Sequence, residues 1–180
     1  MSEIKTLTTT EIYRNRWMRL REDRILRADG NEGVYSVVEK ADFVVIIALQ
    51  DGGVFVVEQF RYPLQLRTIE LPQGAWECAP DEDPRRVAAG ELKEETGLVA
   101  GKMTQVGYQK LAQGYSSQGY HIFLAEELTH EQQDLDLEEV GLTARKIPFA
   151  EFEALIRDGK ISDATSVTAW LLAKLKGMIP

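Results

Sequence analysis

Seven consecutive apolar residues, Phe43-Val-Val-Ile-Ile-Ala-Leu49, constrain this chain more than any other stretch. Successive side chains of a strand point to opposite faces, so a strand with one wet face alternates apolar and polar residues. An unbroken run has no wet face and reads as a strand covered on both sides. It is far too short to cross a bilayer, which takes about 20 apolar residues. Asp51-Gly52-Gly53 follows as a hairpin signal, and Val54 to Glu58 reads as the returning partner. The cover must come from the rest of the chain, and 180 residues suffice for one domain with its own core.

The remaining elements arrange themselves around that strand. Ile12 to Leu20, Arg24 to Leu26 and Val34 to Val38 read as short strands, with a turn at Asp29-Gly30. Thr68 to Leu71 reads as another. Asp83 is a helix cap, Pro84 suits the first helical position and Gly97 the end. Met103 to Tyr108, interrupted by Gly107, and Tyr120 to Ala125 read as strands, and Glu126 to Glu139 as a polar, acidic loop. Leu142 to Ile147 is the last expected strand. Two helices close the chain. Phe149, Phe152, Leu155 and Ile156 mark the first, which stops near Asp158-Gly159; Val167, Trp170, Leu171 and Leu175 mark the second at core-facing spacing. Strands first, one helix in the middle and helices last predict an α+β fold, a mixed sheet sandwiched between helices. Residues 1–40 are expected to form an N-terminal antiparallel β extension and 41–180 the main domain.

Charge and composition exclude several classes. A net charge of −8 opposes binding of nucleic acid by phosphate neutralisation. It does not oppose a phosphorylated small substrate, because a bound metal ion reverses the local charge. No segment suits a membrane span, and Met1 to Thr10 has no apolar signal-peptide core. A single cysteine, Cys78, excludes an internal disulfide framework and points to a cytoplasmic location.

The chemistry sits on the middle helix. Glu91, Glu94 and Glu95 stand at i, i+3 and i+4, so their carboxylates share one face, while Ala88 and Leu92 serve packing. Like charges at that spacing cost about 0.2–0.5 kcal/mol per pair. The alternatives are a solvated acidic face or a face that holds a cation. Hard carboxylate oxygens select Mg²⁺ or Mn²⁺ over zinc.

With Gly74 and Glu82 before the helix and Gly97-Leu98 after it, the stretch resembles the signature of the Nudix hydrolase family: Gly, five residues, Glu, seven residues, Arg-Glu-apolar-x-Glu-Glu-x-Gly-apolar. Seven residues, not five, separate Gly74 from Glu82, and Gly90 stands where the pattern has arginine. Val57-Glu-Gln-Phe-Arg-Tyr-Pro63, Glu70-Leu-Pro-Gln-Gly74, Gly114-Tyr-Ser-Ser117 and Gly159-Lys-Ile-Ser-Asp163 are similar to the ADP-ribose pyrophosphatase branch.

The resemblance implies Mg²⁺-dependent hydrolysis of a nucleoside diphosphate sugar, ADP-ribose first, to two monophosphates. It implies that the Gln73 carbonyl, Glu91, Glu94 and Glu95 hold metal. It also implies that Glu139, or next Glu138, activates water, the alternative being a solvated acidic loop. Arg61 is a phosphate contact or a surface ion pair, and Arg67 a weaker candidate. Glu70 either meets a ribose hydroxyl or orients Arg61. Trp17 either packs or stacks on the base from a partner subunit. Val34-Tyr35-Ser36 lacks the arginines that many members carry there. Rival readings are another nucleotide sugar such as GDP-mannose, a dinucleotide, or a non-catalytic nucleotide-binding module. A homodimer is expected, because Tyr13, Trp17, Met18, Leu20 and Tyr35 would give residues 1–40 an apolar face in need of cover.

Overall fold

The computed structural model describes residues 3–76, 78–131 and 141–180. Strands β1 (Ile4–Arg14), β2 (Arg19–Arg27) and β3 (Glu32–Glu39) form an antiparallel three-stranded sheet. The strand expected over Ile12 to Leu20 is instead a hairpin corner. Asn15 Oδ1 accepts from the Trp17 and Met18 amides, both at 2.9 Å, which reverses the chain between β1 and β2. An asparagine side chain that bonds the backbone two residues on is a turn device with no apolar signature.

Strand β4 (Phe43–Gln50) is the centre of a second, seven-stranded sheet. Its neighbours are β5 (Gly53–Arg61), β6 (Leu66–Glu70), which pairs with β5, and β7 (Gln73–Gly74), which pairs with β4. After helix α1 (Pro84–Thr96) come β8 (Leu98–Lys110), β9 (Gly119–His130), β10 (Thr143–Pro148), α2 (Phe149–Arg157) and α3 (Ala164–Leu175). The order is β10-β5-β4-β9-β8, and the β4–β9 pair is parallel, which makes the sheet mixed.

Two apolar clusters explain the unbroken run. Val45 and Ile47 face Phe152, Ala169 and Trp170 of α2 and α3, whereas Val44, Ile46 and Ala48 face Val87, Ala88 and Leu92 of α1. Each face of β4 therefore has its own helical cover. Full burial of such a side chain contributes about 1.5–3 kcal/mol. Helix α1 begins and ends where its caps stand: Asp83 Oδ1 accepts from the Arg85 amide at 2.9 Å, and Gly97 adopts φ +70°.

Three expectations need correction. Strand β8 is far longer than Met103 to Tyr108, and Gly107 lies at a register shift against β9, a bulge rather than an interruption. Strand β9 runs on to His130, so Glu126 to His130, expected as loop, are strand, and 132–139 of that expected loop lie outside the described residues; Lys102 meets Glu126 across the pair at 2.7 Å. On α3, Trp170 is buried but Leu171 and Leu175 are exposed. Among the described residues no helix is long and apolar enough to cross a membrane.

Candidate active site

The turn from β6 to β7 meets the glutamate face of α1. The Gln73 amide donates to Glu95 Oε2 at 3.0 Å. Gly74 lies so close to Glu91 that an added Cβ would stand 2.1 Å from Glu91 Oε2. Glycine is therefore required for this approach. Glu91 and Glu95 are 5% and 1% exposed, and Glu94 is half-buried. Two carboxylates this well buried demand charge-compensating neighbours.

This donor set suits a hard divalent cation, being all oxygen. Among the described residues no three His, Cys, Asp or Glu side chains stand together closely enough to hold a metal ion by themselves. Mg²⁺ does not need one, since it keeps waters and shares phosphate oxygens.

Gln73 and Gly74 also line a cleft of about 350 Å³. Lys40 and Arg61 bring positive charge to its walls, and Trp17 and Phe43 bring aromatic surface. Gln118, Asp163 and Thr165 add polar groups. A larger groove of about 470 Å³ lies beside the β4–β5 hairpin. It holds none of the candidates, and Asp51, Glu126 and Glu127 on its lining would repel a phosphate.

Arg61 is held rather than loose. Its Nε donates to Glu70 Oε1 at 2.9 Å, and its Nη2 meets Glu70 Oε2. The Glu70 hydrogen bond raises the guanidinium pKa above its ordinary value, against the effect of desolvation. Glu70 is itself buried, takes the Thr68 hydroxyl, and accepts from Gln73 Nε2 at 2.7 Å. The carboxylate is thereby a hub between an arginine of β5 and the turn beside the glutamates. Of the two roles open to Glu70, this geometry is the orienting one.

Arg67 turns elsewhere. Its Nε donates to Glu58 Oε1 at 3.0 Å, and its Nη2 to the Glu58 and Gly141 carbonyls, each at 2.9 Å. Trp17 is 41% exposed and lines the cleft. The Arg16 guanidinium lies 4.2 Å from its ring centre. Glu138 and Glu139 lie outside the described residues.

Sequence reasoning missed Asp163 as a site residue. Its Oδ2 caps α3 through the Ser166 amide at 2.8 Å and lies 3.3 Å from Gln73 Nε2. The Thr165 hydroxyl sits 2.7 Å from Gln73 Oε1. A cap signal, Asp followed by Ser three residues on at the start of an apolar helix, was legible there. Lys40, Phe43 and Gln118 carried no such signal.

Known proteins match this chain over nearly its whole length. Residues 39–171 match the family described as "NUDIX domain", and residues 4–38 match "Nucleoside diphosphate sugar hydrolase N-terminal domain". The chain is 29% identical over 177 residues to an ADP-ribose pyrophosphatase of Bacillus subtilis (strain 168), spanning 97% of this chain and 94% of the relative. It is 29% identical over 171 residues to a methanol dehydrogenase activator of Bacillus methanolicus, spanning 93% and 90%. A solved structure of an ADP compounds hydrolase superposes with a TM-score of 0.86 at 23% identity, over 99% of this chain and 97% of that one, a likeness of fold.

Proposed function

The chain belongs to the Nudix family and is a pyrophosphate hydrolase, and we propose that its substrate is a nucleoside diphosphate sugar, ADP-ribose first, cut to AMP and ribose 5-phosphate with Mg²⁺, or Mn²⁺ in its place. One observation carries this reading. A cleft with cationic and aromatic walls shares the Gln73–Gly74 turn with two buried glutamates. The relative named an ADP-ribose pyrophosphatase supports the choice of substrate.

Glu91, Glu94, Glu95 and the Gln73 carbonyl are the groups that would hold the ion. When bound, a divalent cation neutralises pyrophosphate oxygens and lowers the pKa of a coordinated water. Arg61, aligned by Glu70, offers a planar guanidinium to a phosphate oxygen. Trp17 offers an indole face to the base. We assign proton removal from the attacking water to Glu139, with Glu138 the alternative, on the family resemblance. Glu139→Gln should lower kcat with metal affinity unchanged; if Glu138→Gln is the damaging change, the base is one position earlier.

The test is a panel of nucleotide sugars incubated with Mg²⁺, with both products identified. AMP and ribose 5-phosphate from ADP-ribose, at the highest kcat/KM of the panel, is the expected result. A higher kcat/KM with GDP-mannose moves the base and sugar assignment, and no cleavage of any member rejects the reading.

The proposed working form is a homodimer. Ile4, Leu7, Ile12 and Val34 expose apolar surface on the three-stranded sheet, which a second copy would cover. Light scattering after size exclusion reads the state; a fully active monomer at micromolar concentration would reject it.

A further inference from the structure

The segment around β7 touches α1 at three points. Gln73 bonds Glu95, and Gly74 closes on Glu91, as described above. The third contact is apolar: the Trp76 indole lies on Gly90, where an added Cβ would stand 2.2 Å from ring atom Cζ2 and 3.1 Å from Cη2. Trp76 is half-buried and packs against the cluster that holds Val87, Ala88 and Leu92. The ring therefore cannot swing away without uncovering that cluster. A glycine inside a helix is destabilising relative to alanine. Its presence in the middle of α1 calls for a compensating contact, and the indole supplies one.

We propose that Trp76 is a positioning residue for the metal-binding face: seated on Gly90, it clamps residues 73–76 to α1 and holds Glu91 and Glu95 against the Gln73–Gly74 turn. Carboxylates drawn to one short turn repel each other. The two contacts to them are also the ones that a bound cation would compete with. The Trp76–Gly90 contact involves no charge, so it holds the turn in place with or without the ion. The proposal rests on the metal-binding reading of that face.

A double-mutant cycle on the full chain tests it, read by thermal unfolding, Mn²⁺ titration by electron paramagnetic resonance, and kinetics. Gly90→Ala should lower Tm by ~2–4 °C in the parent, because the Cβ meets the ring. In Trp76→Ala the same substitution should raise Tm by a similar amount, because the space is open and alanine is the better helix former. Trp76→Ala should weaken Mn²⁺ binding by ~10-fold or more and lower kcat with little change in KM. Trp76→Phe, which keeps a ring, should recover most of the Mn²⁺ affinity.

Parental Mn²⁺ affinity in Trp76→Ala would reduce the contact to packing and overturn the proposal. So would a higher Tm for Gly90→Ala in the parent background. If Trp76→Ala does not fold, Gly90→Ala alone decides: a lower Tm with weakened Mn²⁺ binding supports the clamp, and unchanged Mn²⁺ binding overturns it. A parent chain that binds no Mn²⁺ overturns the proposal together with the metal reading. Tm and Mn²⁺ binding are measured without substrate, so the nucleotide-sugar assignment can fail without touching this result.

Discussion

Strand β4 buries five consecutive residues, Val44 to Ala48, whereas β1 leaves all eleven of its residues exposed. The seven-stranded sheet has a helical layer on each face and closes its core within one chain. In the three-stranded sheet only Asp23 and Ile25 are buried among the described residues. Its visible cross-links are ion pairs near the surface, such as Arg19 and Arg21 to Glu39 at 3.1 and 2.8 Å, and Arg24 to Glu32 at 2.6 Å. Pairs this close to solvent are worth about 0–1 kcal/mol. The difference teaches where damage should matter. The body carries its own core and the proposed metal face; the extension carries Trp17 to the cleft and, in the proposed dimer, depends on a second copy for cover.

The comparison can be broken most sharply in the body. Glu95→Gln should lower kcat by at least ~10²-fold while the fold survives, because it removes a proposed metal ligand rather than a packed group. Near-parental kcat would move the metal site away from α1.

A smaller loss is expected at the junction of cleft and core. Arg61→Ala strips a buried carboxylate of its bidentate partner and should cost about 1–3 kcal/mol of stability. It should also raise KM by ~10-fold, the effect of a lost charge-assisted phosphate contact of roughly 1.4 kcal/mol. An unchanged KM would leave Arg61 a structural ion pair alone. Glu70→Gln keeps the volume of the hub and leaves the guanidinium in place, but its amide nitrogen cannot accept from Arg61 or Gln73 and the charge is lost, so it should raise KM less than Arg61→Ala.

Smaller again is the effect within the extension. Trp17→Ala should raise KM by ~2–10-fold with kcat and Tm near parental values, the range expected for one aromatic stack of about 0.5–1.5 kcal/mol. Loss of kcat instead would tie the extension to the chemistry. At the bottom of the scale, Glu11→Ala removes pairs to Arg14 and Arg19 at 3.0 and 2.9 Å on the exposed strand. It should leave stability near the parental value; a clear loss would place Glu11 at the proposed dimer seam.

Much of the body was legible because its signals are local. An unbroken apolar run requires two covered faces, and the alternation of Val44, Ile46 and Ala48 against Val45 and Ile47 delivers them. Asp83, Pro84 and Gly97 bound α1 through backbone groups a few residues away. The extension was read less well, because its hairpin turns on the Asn15 side chain and β1 has no buried residue to mark it. The exposed Leu171 and Leu175 show the same limit from the other side: periodicity finds a helix face but not whether anything lies against it.

The amino-acid sequence by itself determined the covered central strand, the capped helix and the i, i+3, i+4 spacing of Glu91, Glu94 and Glu95, since each depends on neighbours within one or two turns. Only the tertiary structure decided which distant groups meet that face. It turned Arg61 onto Glu70 and sent Arg67 to the Gly141 carbonyl, though both arginines carry the same charge six residues apart. It brought Asp163 and Thr165, about 90 residues on, to the Gln73 side chain, and seated Trp76 on Gly90. These meetings follow from the pairing of β4 with β7 and β9 and from helices packed across the sheet. Such contacts are fixed by topology, and local periodicity carries no record of them.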